Sequence, residues 1–175
     1  ITFVANEIDF MDSDRYSIHF SPLQGYTDRI YRNAFAHYFG GVEAYYTPFI
    51  RVEKGALRKR DLRDIEPETN TVADLIPQIL PGSADEFRLL TDAVGEKGYR
   101  QIDINLGCPF PMIAGKHKGA GMLLYPAQVA EVLAPIAEYP EIQFSLKMRL
   151  GGENASECMV LVELLNTLRL SRIAL

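Results

Sequence analysis

Apolar and polar residues alternate over six short stretches of the chain, and a glycine or proline follows most of them. Alternation with a period of two predicts β-strands, because successive side chains of a strand point to opposite faces of a sheet. The predicted strands are residues 17–21, 44–47, 74–80, 101–106, 143–149 and 172–175. Pro77 lies inside the third of them and cannot donate a ladder hydrogen bond, so we expect that strand to be irregular.

Between the strands, apolar residues recur at the spacing of helices. The first helix is expected to have Thr27 or Asp28 as its N-cap, since either side chain can accept a hydrogen bond from the first turn. The apolar residues of this helix are predicted to lie on one face, and they are Ile30, Tyr31, Ala34, Phe35 and Tyr38.

Three further helices are predicted to begin at Ser83, at Pro126 and at Ser156, the last of them running to residue 168. The remaining segments are predicted to be long connections. Residues 51–70 form one of these, and residues 110–125, which are rich in glycine and lysine, form the other. Residues 1–16 have no clear period and are expected to be an extended lead-in.

Strands that alternate with helices indicate βαβ units, a parallel sheet and right-handed crossovers. The fold class is therefore α/β. Five such units and the start of a sixth strand fit an incomplete (β/α)₈ TIM barrel, a fold that usually needs about 250 residues. A flavodoxin-like open sheet fits the length of 175 residues better. Periodicity alone does not decide between these two folds.

The composition is that of a water-soluble domain, with 47% hydrophobic and 23% charged residues. No apolar run approaches the roughly 20 residues of a membrane span. The first fifteen residues carry Glu7, Asp9, Asp12 and Asp14, the wrong charge for a signal peptide. The two cysteines do not suggest a disulfide framework. We expect a cytoplasmic protein that does not associate with membranes.

The net charge of −5 argues against a protein that coats nucleic acid. However, residues 51–63 contain six basic residues against Glu53 and Asp61. The basic residues are Arg51, Lys54, Arg58, Lys59, Arg60 and Arg63. Such a cluster is either a solvated face or a docking surface for phosphate groups.

Cys108 is the first candidate for chemistry. It follows the fourth predicted strand, between Gly107 and Pro109, and ligands gather beyond the carboxyl ends of strands in α/β proteins. The alternative is a buried cysteine that acts as a small hydrophobe. That second interpretation is the one we adopt for Cys158, which lies in an apolar helical stretch.

Other polar residues are also predicted at strand ends, namely Gln24, Gln78, Asn105, Lys147 and Arg149. Gln78 could bond a planar heterocycle or be a satisfied core amide. Lys147 could pair with a carboxylate such as Asp103 or face an anionic or electron-rich ligand. The glycine-rich loop with Lys116 and His117 could close over a substrate, or both side chains could be solvated. Histidine and cysteine spacing predicts no metal site.

Four motifs in order resemble those of the tRNA-dihydrouridine synthases. Residues 21–28 resemble the opening motif Pro-Met-x-Gly-x-Thr-Asp, with Leu23 in the place of Met. Residues 104–109 resemble the catalytic motif of that family. Residues 119–124 loosely match its glycine and double-leucine pattern, and residues 146–149 resemble its Val-Lys-x-Arg strand.

The resemblance implies an FMN-containing TIM barrel that reduces a uridine in tRNA to 5,6-dihydrouridine with NADPH. Residues 1–175 would be the N-terminal part of that barrel, and the rest of the barrel and a helical C-terminal tRNA-binding domain would lie outside this chain. The full-length protein is expected to be a monomer. Two alternatives stay open, an FMN barrel acting on a free pyrimidine in the manner of dihydroorotate dehydrogenases, and a tRNA-binding protein without catalysis.

By matching positions, the resemblance also implies roles for individual residues. Cys108 would donate a proton and Asn105 would contact the uracil. The residues implied to hold the flavin are Pro22, Leu23, Gln24, Gln78 and Lys147. Further contacts to the substrate are expected from Arg149, Lys116 and His117.

Overall fold

The computed structural model describes residues 17–151 and 154–175. The predicted extended lead-in, the acidic N-terminal residues and Gly152 lie outside the described residues. Nine short strands and six helices are joined by four 3-10 turns in the described ranges. The fold is α/β, as the sequence predicts.

The predicted strands lie close to their expected positions; the first, second, third and fifth are shorter than predicted, and the last begins two residues earlier, at Leu170. In chain order they are β1 (His19–Phe20), β2 (Ala44–Tyr46), β3 (Val52–Glu53), β4 (Ala56–Leu57), β5 (Leu75–Ile76), β6 (Gln78–Ile79), β7 (Gln101–Leu106), β8 (Gln143–Met148) and β9 (Leu170–Ala174). Strands β3 and β4 form a small antiparallel hairpin, and every other pairing is parallel.

Pro77 interrupts the third predicted strand, which confirms the expected irregularity. The part before it, β5, pairs with β2, and the part after it, β6, pairs with β7. Since Pro77 has no N–H, it contributes only its carbonyl oxygen, which accepts a 2.9 Å hydrogen bond from the Asp103 N–H. One broken strand therefore links the sheet β1-β2-β5 to the sheet β6-β7-β8-β9.

The parallel strands lie side by side in the order in which they follow each other along the chain. This is the order of a (β/α)₈ barrel and differs from that of a flavodoxin-like sheet, in which the first two strands exchange places. The row of strands also curls, because Arg172 of β9 reaches Tyr46 of β2 with an Nη1–Oη distance of 2.8 Å. The described residues thus form part of a barrel and do not close it.

The helices are α1 (Arg29–Tyr38), α2 (Lys59–Asp64), α3 (Ala84–Gly95), α4 (Pro111–Ala114), α5 (Pro126–Leu133) and α6 (Cys158–Leu165). Asp28 and Ser83 cap α1 and α3 with their side-chain oxygens, as predicted. The predicted last helix is shorter than expected, and a 3-10 turn at Ala155–Glu157 precedes it. The predicted connections contain β3, β4, α2 and α4, which are too short to show a period in the sequence.

The apolar face predicted for α1 is largely exposed, and a polar residue of the helix is buried instead. Ile30 is 70% exposed and Tyr38 is 76% exposed, whereas Arg32 is fully buried. The Arg32 guanidinium donates to the backbone oxygen of Thr27 and to the carboxylate of Asp64, at 2.8 and 2.9 Å. A buried arginine is stable only when paired, so this ion pair fixes how α1 packs on the end of α2.

Alternate residues of β7 face opposite sides of the sheet. Ile102 and Ile104 are fully buried in the main core against the helices, where Phe87 of α3 and Val129 of α5 also lie. Cys158 joins this core at 8% exposure, which confirms its predicted packing role. The intervening polar residues of β7 face the inside of the curled sheet.

Candidate functional site

Four buried polar side chains meet on the inner face of the sheet. The strand register sets Asp103 of β7 beside Gln78 of β6 and beside Ser145 of β8. Asn105 follows Asp103 by two residues and therefore lies on the same face. These four residues are between 1% and 8% exposed. Buried polar groups of this kind need hydrogen-bond partners, and here they supply one another.

These residues form one continuous series of hydrogen bonds, which we call the polar chain. Ser145 Oγ donates to Asp103 Oδ1 at 2.6 Å, and Gln78 Nε2 donates to Asp103 Oδ2 at 2.7 Å. Asn105 Nδ2 then donates to Gln78 Oε1 at 2.7 Å. Because an ionised carboxylate only accepts hydrogen bonds, Asp103 fixes which end of the Gln78 amide faces Asn105.

The polar chain ends at the turn that carries Cys108. Asn105 Oδ1 accepts hydrogen bonds from the backbone N–H groups of Gly107 and Cys108, at 3.0 and 2.9 Å. On the other side, the Cys108 carbonyl accepts a 3.0 Å bond from the Ala120 N–H. The backbone of this cysteine is thus held from both sides at the carboxyl end of β7.

Gly119 allows the returning loop to approach Cys108. Its φ of +55° lies in the left-handed region, which glycine adopts without steric cost. A Cβ at this position would lie 2.9 Å from the Cys108 carbonyl oxygen and 3.1 Å from its Cβ. The side chain of Cys108 is half-buried and packs against a small apolar cluster of Phe49, Leu80 and Ile113.

Burial raises the pKa of the Asp103 carboxyl above its ordinary value. The hydrogen bonds from Ser145 and Gln78 act in the opposite direction, as do the positive charges of Lys147 and Arg172. Desolvation disfavours the ionised form and is the largest of these effects, so the pKa is raised overall. Asp103 is therefore a carboxyl group whose charge depends on the groups that surround it.

Two of the predicted flavin-binding residues share one cavity inside the curled sheet. Its volume is about 160 Å³, and Pro22, Lys147 and Asp103 all line it. In the described part of the chain, neither a hydrogen bond nor an ion pair joins the Lys147 ammonium to another residue. Both oxygens of its charged neighbour Asp103 already accept from Ser145 and Gln78.

The other predicted site residues are less closely grouped. Leu23 is 58% exposed. Gln24 faces a second cleft, and its Oε1 accepts a 2.9 Å bond from the Phe49 N–H. Arg149 is exposed and donates from Nε to the Gly107 carbonyl oxygen at 2.9 Å, so it contacts the cysteine turn.

The loop after β7 holds the last two predicted substrate contacts. Lys116 is exposed to solvent. The ring of His117 stacks on Tyr125 with a centroid separation of 4.3 Å, and this residue also has a left-handed φ of +52°. The neighbouring Lys118 is tied to Glu86 of α3 with Nζ 2.8 Å from Oε1. The structure therefore links Gln78, Asn105, the backbone of Cys108 and Arg149 through the polar chain and the cysteine turn, and within the described residues no hydrogen bond joins Lys116 or His117 to these four.

Sequence reasoning missed Ser145 and considered Asp103 only as a partner for Lys147. The alternation of β7 and β8 shows that both residues face inward, but only the register between the strands reveals their hydrogen bond. Over residues 17–151 and 154–175, no group of three metal-ligating side chains could hold an ion. Nor does any single helix within those ranges have the length and apolar character to cross a membrane; the segments Pro111–Met122 and Pro126–Glu138 reach that length and composition only when taken together, and they are bent by 84°.

Comparison with known proteins gives a consistent picture. Residues 19–169 match the family model described as dihydrouridine synthase. The chain is 31% identical over 144 residues to "Probable tRNA-dihydrouridine synthase 2" of Bacillus subtilis, covering 78% of this chain. It is 28% identical over 146 residues to "tRNA-dihydrouridine synthase B" of Pseudomonas putida, covering 82% of this chain. In both cases the match spans 42% of the relative's length.

Proposed function

The chain belongs to the dihydrouridine synthase family, and we propose that the protein it represents reduces uridine in tRNA to 5,6-dihydrouridine. We assign to Cys108 the role of proton donor, to Asn105 a contact with the uracil, and to FMN and NADPH the supply of reducing equivalents. The observation that carries this proposal is the pair of hydrogen bonds that Asn105 Oδ1 accepts from the backbone of Gly107 and Cys108. These two bonds hold the backbone of Cys108 and the Asn105 amide in one fixed arrangement.

The residues around Lys147 fit a flavin. Pro22 offers an apolar wall, and Lys147 offers a cation without a hydrogen-bonded counter-ion among the described residues, in the same cavity. A positive charge there suits the electron-rich pyrimidine edge of an isoalloxazine ring. Pro22, Leu23, Gln24, Gln78 and Lys147 would hold the group. When bound and reduced, FMN supplies hydride to uracil C6.

The residues of this chain then have to complete the reduction at uracil C5. That carbon needs a proton, and the Cys108 thiol can supply it from Sγ while the thiol is protonated. Asn105 can orient the base, because only one of its two Nδ2 hydrogens is used by Gln78. Arg149 holds the Gly107 carbonyl and so stabilises the same turn.

The target uridine must leave the base stack to reach Cys108, which costs roughly a few kcal/mol. Contacts between basic side chains and the RNA backbone would offset this cost. We include Lys116 and His117 in the proposal as contacts of this kind, since they lie on the loop that returns past Cys108 through Gly119.

An absorbance spectrum of the protein from the complete reading frame tests the cofactor assignment. We expect a flavin band near ~450 nm that NADPH bleaches and unmodified tRNA restores. Restoration by orotate in place of tRNA would favour an enzyme acting on a free pyrimidine. A folded protein without flavin would refute the proposed reaction and leave RNA binding without catalysis.

Replacing Cys108 with alanine tests the proton donor. We expect bound flavin to be retained and dihydrouridine formation to fall by about 10²- to 10⁴-fold, the usual contribution of a general acid. Cys158→Ala is the matched control, because Cys158 is the other cysteine of the chain and packs in the core. Unchanged turnover in Cys108→Ala would remove this residue from the mechanism.

A further inference from the structure

A second cleft, larger than the one beside Lys147, lies between the loop after β1 and helix α2. Its volume is about 410 Å³. Five arginines line it, and they are Arg29, Arg51, Arg58, Arg60 and Arg63. We call it the arginine cleft. Lys54 and Lys59, which belong to the same basic stretch of sequence, are not among its lining residues.

The three carboxylates of the arginine cleft do not cancel its charge. Asp28 is engaged in capping α1, and Asp64 forms its ion pair with the buried Arg32. Asp61 lies beneath the arginines with a side-chain exposure of only 9%. Arg60 and Arg63 are exposed, so the cleft presents positive charge to solvent.

Asp61 lies close to Arg58. Its Oδ1 lies 3.8 Å from Arg58 Nη1, and Arg58 Nε also lies 3.1 Å from Glu53 Oε2. Asp61 Oδ2 is buried and has no hydrogen-bond partner among the described residues. Burial raises the pKa of the Asp61 carboxyl, and the positive charge of Arg58 beside it acts in the opposite direction.

Phe49 connects the arginine cleft to the cysteine turn. Its buried ring packs in the apolar cluster that contacts Cys108, and its backbone N–H donates to Gln24 in the cleft wall. On the other side, the Arg51 guanidinium lies 6.0 Å from the centre of the same ring. Phe49 therefore lies between the arginine cleft and the apolar cluster that packs against Cys108.

We propose that the arginine cleft binds the sugar-phosphate backbone of the RNA strand immediately beside the target uridine. This inference rests on the proposed function, because it takes uridine in tRNA as the substrate at Cys108. Arginine is the suitable residue, since its planar guanidinium donates two parallel hydrogen bonds to a phosphate. The cleft would hold the flanking phosphates while the uridine is out of the stack.

Charge reversal of the two exposed arginines, Arg60→Glu and Arg63→Glu, tests the inference. Neither side chain is buried, so we expect both variants to fold. We expect the dissociation constant for unmodified tRNA to rise roughly tenfold or more in each. The slope of log K against log salt should become shallower by about 0.7 to 0.9 for each phosphate that the variant no longer neutralises. Arg100→Glu is the control, because this substitution makes the same change in charge at an exposed residue. Arg100 lies before β7, at the opposite end of the strands from Cys108.

The outcomes separate this inference from the proposed reaction. If the inference is right, Arg60→Glu and Arg63→Glu raise KM for tRNA and leave the turnover rate at saturating tRNA unchanged. NADPH bleaches the flavin band of these variants as it does that of the parent protein. Unchanged affinity and salt slope would refute the arginine cleft as an RNA site even if dihydrouridine forms. Weakened tRNA binding without any uridine reduction would support the cleft and refute the reaction.

Discussion

Removing the Ser145 hydroxyl tests whether the polar chain is a stabilising unit. In Ser145→Ala, the Asp103 side chain, which is 2% exposed, loses the 2.6 Å hydrogen bond to its Oδ1. A hydrogen bond to a charged group contributes about 1.5 to 3 kcal/mol. We therefore expect the free energy of unfolding to fall by about 2 kcal/mol, seen as a lower urea midpoint with an unchanged m-value.

Thr91→Val is the matched control. The Thr91 hydroxyl is also fully buried, but the residues that the structure describes offer it no hydrogen-bond partner. Replacing it with a methyl group removes an unsatisfied polar atom without removing a bond, so we expect no loss of stability or a small gain. Equal losses in Ser145→Ala and Thr91→Val would mean that the Ser145 bond contributes nothing specific.

The effect of Ser145→Ala should also depend on pH. The Asp103 pKa is raised above its ordinary value of 3.8, so the folded state binds the proton more tightly than the unfolded state. The stabilisation that this group contributes is therefore fully present below pH 3.8, and it is lost as the pH rises through the folded-state pKa. Ser145 lowers that pKa, so its removal should raise it further and enlarge the loss at neutral pH. A difference between variant and parent that is the same at pH 4 and pH 7.5 would contradict the reasoning.

Two further predictions concern single side chains. Gly119→Ala would set a Cβ 2.9 Å from the Cys108 carbonyl oxygen at a positive φ, whereas Gly98→Ala, at φ +91°, meets no atom within 4 Å. We expect Gly119→Ala to cost about 1 kcal/mol or more beyond the backbone strain common to both, and equal urea midpoints would contradict this. Tyr99 donates to the Ile65 carbonyl at 2.8 Å, and burial raises the pKa of Tyr99 to about 12. Because the phenol ionises more readily in the unfolded state, the free energy of unfolding should fall as the pH rises above 10. Tyr99→Phe should cost about 1 kcal/mol at pH 8 and make the alkaline decline shallower, and an unchanged decline would contradict the assignment.

Much of the fold could be predicted from the chain because its strands and helices carry local signals. The alternation around Ile102 and Ile104, the caps at Asp28 and Ser83 and the break at Pro77 all depend on neighbouring residues alone. The buried face of α1 could not be predicted in this way. It depends on the ion pair between Arg32 and Asp64, which are 32 residues apart.

The candidate site shows the same division. Cys108 and Asn105 stand out because a turn follows a strand directly, and both lie in residues 104–109, the stretch that resembles a motif of the family. The roles of Asp103 and Ser145 in the polar chain depend on strand register, which a single sequence does not reveal. The basic stretch is one cluster in the sequence, but folding separates Arg60 from Lys59, since only the arginine lines the cleft.

Direct detection of the product tests the central claim most directly. The protein from the complete reading frame is incubated with NADPH and unmodified tRNA. The tRNA is then digested to nucleosides, which are separated and identified by mass spectrometry. We predict that dihydrouridine appears, with a mass higher than uridine by two hydrogen atoms, and only when both protein and NADPH are present. Flavin-loaded protein that consumes NADPH and leaves every uridine unreduced would contradict the account.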